Sequence, residues 1–465
     1  MCSLMLSLIA IMGVVTIGKD AAFYLDIARQ VSEHGVSVAN ERFNWPAFIF
    51  LLAGTHTITG LPLELVAYLW CALFMAGTCA LIVDAVRRQV PPAAGWAFLV
   101  VLAIPAFNQF RSDIIREFGF WFFSVLSIWL ALRWRERPGF WRAISIHGAI
   151  FGAALFRLEA VALLIALVLW QLPGLKSREG RWNAAQLWGV PFLVVCCGMA
   201  YMAWHGGLSS TRMAYYLGLI TPGRVLESFR VFSEQFGNSM TYKYSRDAAG
   251  QIIFFGMLAV VLIRFAKLCG PFVIPFFYRG GWQALDVYRK KFSLFAYAAI
   301  LYLLVLMLFF VREQFINSRY LSFLNLLAVP MLAVGAMLFA ERFPRFGKCL
   351  VVIALLVMLS NVLSFGAKKT HYVEAGRWVA ENVAADALVY YEDSRIAYYA
   401  GRGYPFIVIG SQQAMSEAHA HEYGYFLIEA NGDEPWLGEW LTKHDKRVLA
   451  AFTNRKGERV LAIGD

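Results

Sequence analysis

The sequence predicts a mainly α-helical membrane protein with many crossings and a small α/β domain at its carboxyl end. Of the 465 residues, 59% are hydrophobic and 16% are charged, whereas soluble domains carry roughly 25% charge. Apolar runs of about 15 to 25 residues recur from Met1 to about residue 366, and runs of this length can cross a bilayer as helices. Beyond Lys368 the pattern changes to short strands that alternate with short helices.

About eleven spans follow from the positive-inside rule, which places loops rich in Lys and Arg in the cytoplasm. The first run, residues 1–17, has no basic leading region and no small-residue cleavage site, so we interpret it as a retained span and not as a signal peptide. Arg87 and Arg88 end the second run, which makes residues 18–62 a first external loop. A second long external loop covers residues 205–250. The other spans are predicted at residues 63–86, 93–107, 113–132, 186–204, 251–268, 293–311, 320–340 and 349–366, with two more within 143–170.

The carboxyl-terminal residues 367–465 are predicted to form a soluble α/β domain, separate from a membrane domain of residues 1–366. The pattern indicates a helix at 372–382 and strands at 388–391, 406–409, 425–429, 447–452 and 459–463. It contains no Gly-rich phosphate loop.

The net charge of +11 does not indicate a nucleic-acid partner. The Lys and Arg residues lie in short loops between apolar runs, where anionic membrane lipids account for them.

Residues 19–30 form the stretch that bears most directly on function. Read as a helix, they place Asp20, Tyr24 and Ile27 on one face, whereas Asp26 and Arg29 point away and are expected to be solvated. Asp20 follows directly after an apolar run, where lipid chains meet water. This position suits a proton-exchanging group beside a lipid-linked substrate, although a stop signal for the span and ordinary helix-surface charge explain it equally.

Several arginines lie at predicted outer helix ends, where the positive-inside rule expects few. In residues 111–117, Arg111 and Arg116 lie on either side of Asp113, a candidate helix N-cap. Glu117 follows Arg116 directly and suits a positive helix end. Arg116 there opposes the helix dipole by about 0.3–1 kcal/mol. Either the neighbouring acids or a ligand phosphate compensate it.

Arg157 and Glu159 interrupt an apolar segment between two basic flanks, so the chain must cross an even number of times. Two helices of about 15 residues reach about 22 Å each, short of the roughly 30 Å hydrocarbon core. Their turn is therefore expected inside the protein. Arg157 and Glu159 either pair with each other or with neighbouring helices, or they serve function. Arg319 and Tyr320, at the start of a late span, are either interface anchors or ligands of a phosphate, whose geometry matches a guanidinium.

These features in order resemble the GT-C superfamily of membrane glycosyltransferases, which use polyprenyl-phosphate-linked sugars and include protein O-mannosyltransferases and lipid A aminoarabinose transferases. Asp20, Tyr24 and Ala28 are similar to the family's Asp-x-x-x-Tyr-x-x-x-Ala opening of the first external loop. The other motifs resemble its proline-containing interface helix, its second acidic motif, its Thr-Arg-x-Glu-type turn, its Arg-Tyr pair and its soluble tail; they lie at residues 44–48, 111–117, 156–159, 318–320 and 375–401.

The resemblance implies a catalytic role for Asp20 as the general base for an acceptor hydroxyl. It implies that Arg116, Arg157 and Arg319 bind the donor phosphate, and that nearby side chains bind substrate; these are Tyr24, Arg111, Asp113, Glu117, Glu159 and Tyr320. The donor would be a sugar on a polyprenyl phosphate and the acceptor a lipid, a glycan or a protein. The active site and tail would be periplasmic, in a bacterial inner membrane. Ala21 replaces a second acid of the family motif, so a divalent metal ion would require Asp20 with Asp113 or Glu117.

Two other classes stay open. A transporter or flippase for a lipid-linked sugar would carry polar residues or broken helices near the bilayer midplane, whereas here the charges gather at the outer ends. A polysaccharide polymerase or ligase with undecaprenyl-diphosphate substrates would also use outer arginines, but it fits the Asp20 motif and the tail less well.

Overall fold

The computed structural model describes residues 1–204, 221–363, 366, 368–430 and 434–465. These residues form two compact units. The first unit contains residues 1–7, 71–111 and 116–362, and the second contains 8–70, 112–115 and 363–465. Part of the predicted second external loop, residues 205–220, lies outside the described residues. In chain order the α-helices are Cys2–Met12, Lys19–His34, Ser37–Arg42, Ala47–Thr59, Leu63–Gln89, Ala94–Ala103, Pro105–Asn108, Glu117–Glu136, Phe140–Phe156, Ala162–Gln171, Arg178–Trp204, Pro222–Asn238, Lys243–Asp247, Ala249–Cys269, Gln283–Lys291, Ser293–Glu313, Ser318–Arg342, Pro344–Val362, Thr370–Asn382, Ser394–Tyr399, Ser411–Ala414 and Pro435–Lys443.

Helices of membrane-crossing length confirm the predicted multi-pass helical class. Among the described residues, 7 helical segments are long and apolar enough to cross a membrane, and shorter apolar helices accompany them. The seven are Leu63–Gln89, Leu158–Lys176, Arg178–Met199, Ala249–Phe277, Ser293–Glu313, Ser318–Arg342 and Pro344–Val362. The first apolar run forms only the 11-residue helix Cys2–Met12, shorter than the predicted span.

The helix Ser318–Arg342 is the buried centre of the first unit. Its side chains are buried continuously from Leu321 to Pro330, as expected of a helix enclosed by other helices. Polar side chains tie it to its neighbours: the Ser322 hydroxyl donates to the Ala106 carbonyl at 2.5 Å and the Asn325 amide to the Phe265 carbonyl at 2.9 Å. This packing fixes the position of Arg319, one turn before Ser322.

A tight antiparallel helix pair in the same unit is formed by Glu117–Glu136 and Phe140–Phe156. A Cβ atom added at Gly119 would lie only 2.3 Å from the Phe156 ring, so this approach requires glycine. The second helix ends at Phe156, and a 3-10 turn, Leu158–Val161, precedes Ala162–Gln171. The predicted break at Arg157 is thus confirmed, and the pairing brings the start of one helix beside the end of the other.

The carboxyl-terminal part of the second unit contains a four-stranded sheet in the order β1-β2-β4-β3. The strands are β1 Val389–Tyr391, β2 Tyr425–Glu429, β3 Arg447–Thr453 and β4 Arg459–Gly464. β1 pairs parallel with β2, with Val389 opposite Tyr425, and β4 pairs antiparallel with β2 and β3. The alternation of strand side chains gives the sheet two apolar faces. One packs with the Thr370–Asn382 helix, and the other with residues of the Pro435–Lys443 helix.

One predicted strand is wrong. Residues 406–409 belong to no strand. Phe406 is 59% and Val408 90% exposed, so the apolar run does not bury one face as a half-covered strand would. Side-chain contacts hold the segment instead, as described below.

Candidate functional site

The residues that the sequence singles out divide between the two units. The first unit holds Arg111, Arg116, Glu117, Arg157, Glu159, Arg319 and Tyr320, and the second holds Asp20, Tyr24 and Asp113.

In the first unit, Glu117 joins two of the three predicted phosphate-binding arginines. Its Oε1 atom accepts a hydrogen bond from Arg157 Nη1 at 3.0 Å and lies 3.1 Å from Arg319 Nε. The Glu117 side chain is 3% exposed and that of Arg157 is 8% exposed, whereas Arg319 is 21% exposed. The three elements that begin or end at these residues therefore converge on one buried carboxylate.

Arg157 is held on further sides by Glu159 and Tyr320. Its Nε donates to Glu159 Oε1 at 3.1 Å, and its Nη2 donates to the same oxygen. The guanidinium lies over the Tyr320 ring, 4.8 Å from the centroid, a distance typical of a cation–π contact. The Tyr320 carbonyl in turn accepts from the Tyr302 hydroxyl at 3.0 Å. Arg157 is thus oriented before any ligand arrives.

Arg116 is the N-cap of the Glu117–Glu136 helix, and its charge acts on Glu159. The helix starts after Asp113, so the interpretation of Asp113 as its N-cap is wrong. Asp113 is half-buried in the preceding loop. Glu117 is the first helical residue, at the positive end of the dipole as predicted.

Charged side chains of both signs lie together here. They are the guanidinium groups of Arg116, Arg157 and Arg319 and the carboxylates of Glu117 and Glu159. Within the described chain, Glu117 Oε2 is buried and has no hydrogen-bond partner, which costs about 1–3 kcal/mol for such an atom. Buried polar atoms without a partner occur mainly at functional sites.

Arg111 belongs to a different buried network. Its Nε donates to Asn108 Oδ1 at 2.7 Å, and its Nη1 to the Ser3 carbonyl at 2.8 Å and the Ser7 hydroxyl at 2.9 Å. These contacts tie the first helix to the loop after residue 108.

In the second unit, Asp20 is half-buried in the first turn of Lys19–His34. The preceding Lys19 Nζ lies 3.1 Å from Asp393 Oδ2. Burial raises the pKa of the Tyr404 phenol, and the negative charges of the Asp393 and Asp20 carboxylates raise it further. Tyr404 of the carboxyl-terminal domain therefore lies near the predicted base, and Asp393 pairs with the residue before it.

Tyr24 lies within an aromatic cluster, with its ring centroid 5.7 Å from that of Phe43 and 5.6 Å from that of Phe48. It is 6% exposed.

The expectation that Asp26 is solvated is wrong, because its side chain is fully buried. It accepts hydrogen bonds from Arg29 at 2.7 Å, Gln30 at 2.9 Å and Arg42 at 2.9 Å. The contacts near Asp20 that sequence reasoning missed, chiefly Asp393 and Tyr404, are more than 370 positions away along the chain. No local pattern could have linked them to Asp20.

No group of three or more His, Cys, Asp or Glu side chains able to hold a metal ion occurs among the described residues.

The comparisons with known proteins agree with this geometry at the level of the fold. No family model matches the sequence, and no curated protein matches it significantly. The structure is similar to the crystal structure of ArnT from Cupriavidus metallidurans in the apo state, with a TM-score of 0.59 and 13% sequence identity. The match covers 99% of this chain and 96% of that chain. The chain therefore has an ArnT-like multi-pass membrane fold.

Proposed function

We propose that this protein transfers a sugar from a polyprenyl-phosphate donor to an acceptor hydroxyl at the outer surface of a bacterial inner membrane. The observation that carries the proposal is the convergence of Arg157 and Arg319 on Glu117, with Arg116 directly before Glu117 at the start of its helix. Guanidinium groups in water-poor surroundings pair strongly with phosphate. The GT-C-like fold adds the expectation of a lipid-linked donor.

The charge of the cluster suits the leaving group. A sugar phosphodiester carries one negative charge, and a second develops on the phosphate as the bond to the sugar breaks. Guanidinium groups aimed at the phosphate would therefore stabilise the transition state more strongly than the donor, which is the requirement for catalysis. Arg319, the more exposed of Glu117's two partners, would contact the phosphate most directly, while Arg157 fixes the geometry.

Asp20 is assigned as the general base. Its carboxylate would take the proton of the acceptor hydroxyl as that oxygen forms a bond to the anomeric carbon, and the bond from that carbon to the phosphate oxygen breaks. General base catalysis of this kind contributes typically about 100- to 10,000-fold. We further propose that Tyr24, Asp113, Glu159 and Tyr320 shape the substrate site, that Arg111 supports the loop before Arg116, and that residues 367–465 are periplasmic.

The test is release of polyprenyl phosphate from a synthetic polyprenyl-phospho-sugar by the purified protein in nanodiscs, with product formation on candidate lipid, glycan and peptide acceptors. Release that depends on an acceptor supports the proposal. A flippase would leave the donor intact, and a ligase or polymerase would require a diphosphate donor. Either result would contradict it.

A further inference from the structure

We propose that the carboxyl-terminal domain is a positioning element for Asp20, with the Lys19–Asp393 ion pair as its principal contact. This inference rests on the proposed role of Asp20 as the base. It assigns a role to a domain whose sequence contains no Gly-rich phosphate loop.

The helix that carries Asp20 lacks a local device to fix its first turn. Its N-cap is Gly18, which has no side chain to cap the exposed backbone N–H groups. The position of Asp20 therefore depends on contacts that residues 16–19 make with other parts of the protein.

The carboxyl-terminal domain supplies these contacts. The Thr16 hydroxyl donates to the Lys369 carbonyl at 2.8 Å, and the Ile17 backbone N–H donates to the Tyr399 hydroxyl at 2.8 Å. Lys19 pairs with Asp393 at 3.1 Å. Three of the four residues directly before Asp20 are thus attached to the domain.

Asp393 is itself rigidly oriented. Arg395 binds both of its carboxylate oxygens, with Nε at 2.8 Å from Oδ1 and Nη2 at 2.7 Å from Oδ2. The Arg395 guanidinium lies 4.3 Å from the Tyr372 ring centroid, and the Tyr372 hydroxyl donates to Glu429 of strand β2 at 2.6 Å. A continuous set of contacts therefore connects the sheet to Lys19.

A second group of contacts holds the helix just after Asp20. The Phe23 ring lies edge-on to Tyr404 at 5.7 Å and to Phe406 at 5.6 Å. Arg42 bridges Asp26 to the Tyr404 carbonyl, at 2.9 Å and 2.7 Å. Gly403 has a φ of +78°, and a Cβ there would lie 3.3 Å from Asp26 Oδ1. The backbone at residue 403 thus lies in close contact with the buried Asp26 carboxylate.

Positioning of this kind affects turnover more than binding. A displacement of a reacting group by about 1 Å can cost about 100-fold in rate, whereas substrate contacts made elsewhere are kept. Lys19 is 59% exposed, so its removal should leave folding intact while freeing the first helical turn.

The experiment is a double-mutant cycle of Lys19→Met and Asp393→Asn, assayed by sugar transfer. We expect each single variant to lower kcat about tenfold with donor and acceptor KM unchanged, and the double variant to be no worse than either. Lys19→Arg, which keeps the pair, should retain activity, and so should the control Lys443→Gln, which breaks an exposed ion pair with Glu417 in the same domain. Unchanged kcat in Lys19→Met, or losses that multiply in the double variant, would overturn the inference.

Hydrogen exchange separates this inference from the proposed function and covers the case in which Asp393→Asn folds poorly. Lys19→Met should speed amide exchange at residues 19–26 several-fold relative to Lys443→Gln. Unaltered exchange there refutes positioning even if transfer is observed. Absence of transfer by the unmodified protein refutes the proposed function, and faster exchange in Lys19→Met would still establish the attachment.

Discussion

Glu117 in the first unit and Asp26 in the second are both buried carboxylates that collect two arginines, yet they differ in how completely they are satisfied. At Asp26, one oxygen accepts from Arg29 and the other from Gln30 and Arg42. At Glu117, Oε1 accepts a hydrogen bond from Arg157 and forms an ion pair with Arg319, while Oε2 has no hydrogen-bond partner within the described chain. Saturation of both oxygens is what a structural clamp needs.

The incomplete satisfaction at Glu117 has a different meaning. A buried polar atom left unpaired costs stability, and proteins retain such costs mainly where a ligand is bound or a reaction occurs. The comparison thus separates Asp26, both of whose oxygens are satisfied within the fold, from Glu117, whose arginines we propose to bind an incoming anion.

A third carboxylate, Asp20, should show the largest effect of all, because it is the only one of the three assigned a proton transfer. Asp20→Asn should lower kcat by about 100- to 10,000-fold, the range of a lost general base, with donor binding and thermal midpoint nearly unchanged. Transfer of radiolabelled sugar, with binding measured separately, checks this. The control is Glu33→Gln on the same helix, an exposed residue; substantial transfer by Asp20→Asn would remove Asp20 from the mechanism.

The comparison is tested directly by isosteric amides. In the unmodified protein both Asp26 oxygens face hydrogen-bond donors. Asp26→Asn replaces one oxygen by an NH2 group that cannot accept from them, so we expect a loss of about 2–3 kcal/mol in the free energy of unfolding. In Glu117→Gln the NH2 can take the place of Oε2, which faces no donor, so the loss should be about 1 kcal/mol. Thermal unfolding in detergent measures both. Equal losses would show that Glu117 and Asp26 contribute equally to the stability of the fold.

Arg319→Ala should weaken donor binding by about 10- to 100-fold, equivalent to about 1.5–3 kcal/mol for charged hydrogen bonds, seen as a raised donor KM. Arg312→Ala is the matched control: it is also an arginine at a predicted outer helix end, but it pairs with its neighbour Glu313 at 3.4 Å. An unchanged donor KM in Arg319→Ala would contradict a phosphate role for the cluster.

The parts of the site that the sequence predicts are those set by local geometry. The turn at Arg157 follows from helix length, and the placement of Glu117 at a helix start follows from charge and dipole. The spacing rule failed at Asp26, because it treated the face opposite Asp20 as solvated. That face is covered by Arg42 and by residues 403–406, and a contact across more than 360 positions leaves no trace in helical periodicity. The false strand at 406–409 has the same origin, since Phe406 contacts Phe23 and Arg42 instead of a neighbouring strand.

The smallest expected effect concerns the acid stability of the carboxyl-terminal domain. Burial alone would raise the pKa of Asp393, but hydrogen bonds and charge from Arg395, with a contribution from Lys19, lower it to about 2. A depressed pKa stabilises the fold fully above the unfolded value of about 3.9, and this stability is lost as the pH falls toward 2. We expect roughly 1–2 kcal/mol from this group, because screening by solvent reduces the ideal value.

Thermal midpoints between about pH 5 and about pH 2.5 measure this contribution, within the window set by the two pKa values. Asp393→Asn should lower the midpoint at the upper end and flatten its decline with acid, since the group that loses its charge is gone. Asp386→Asn, at an exposed position of the same domain, should leave both unchanged. An equally steep decline in Asp393→Asn would mean that the Lys19–Asp393–Arg395 contacts do not hold the domain. Asp20 would then have to be positioned by its own helix, without help from the carboxyl-terminal domain.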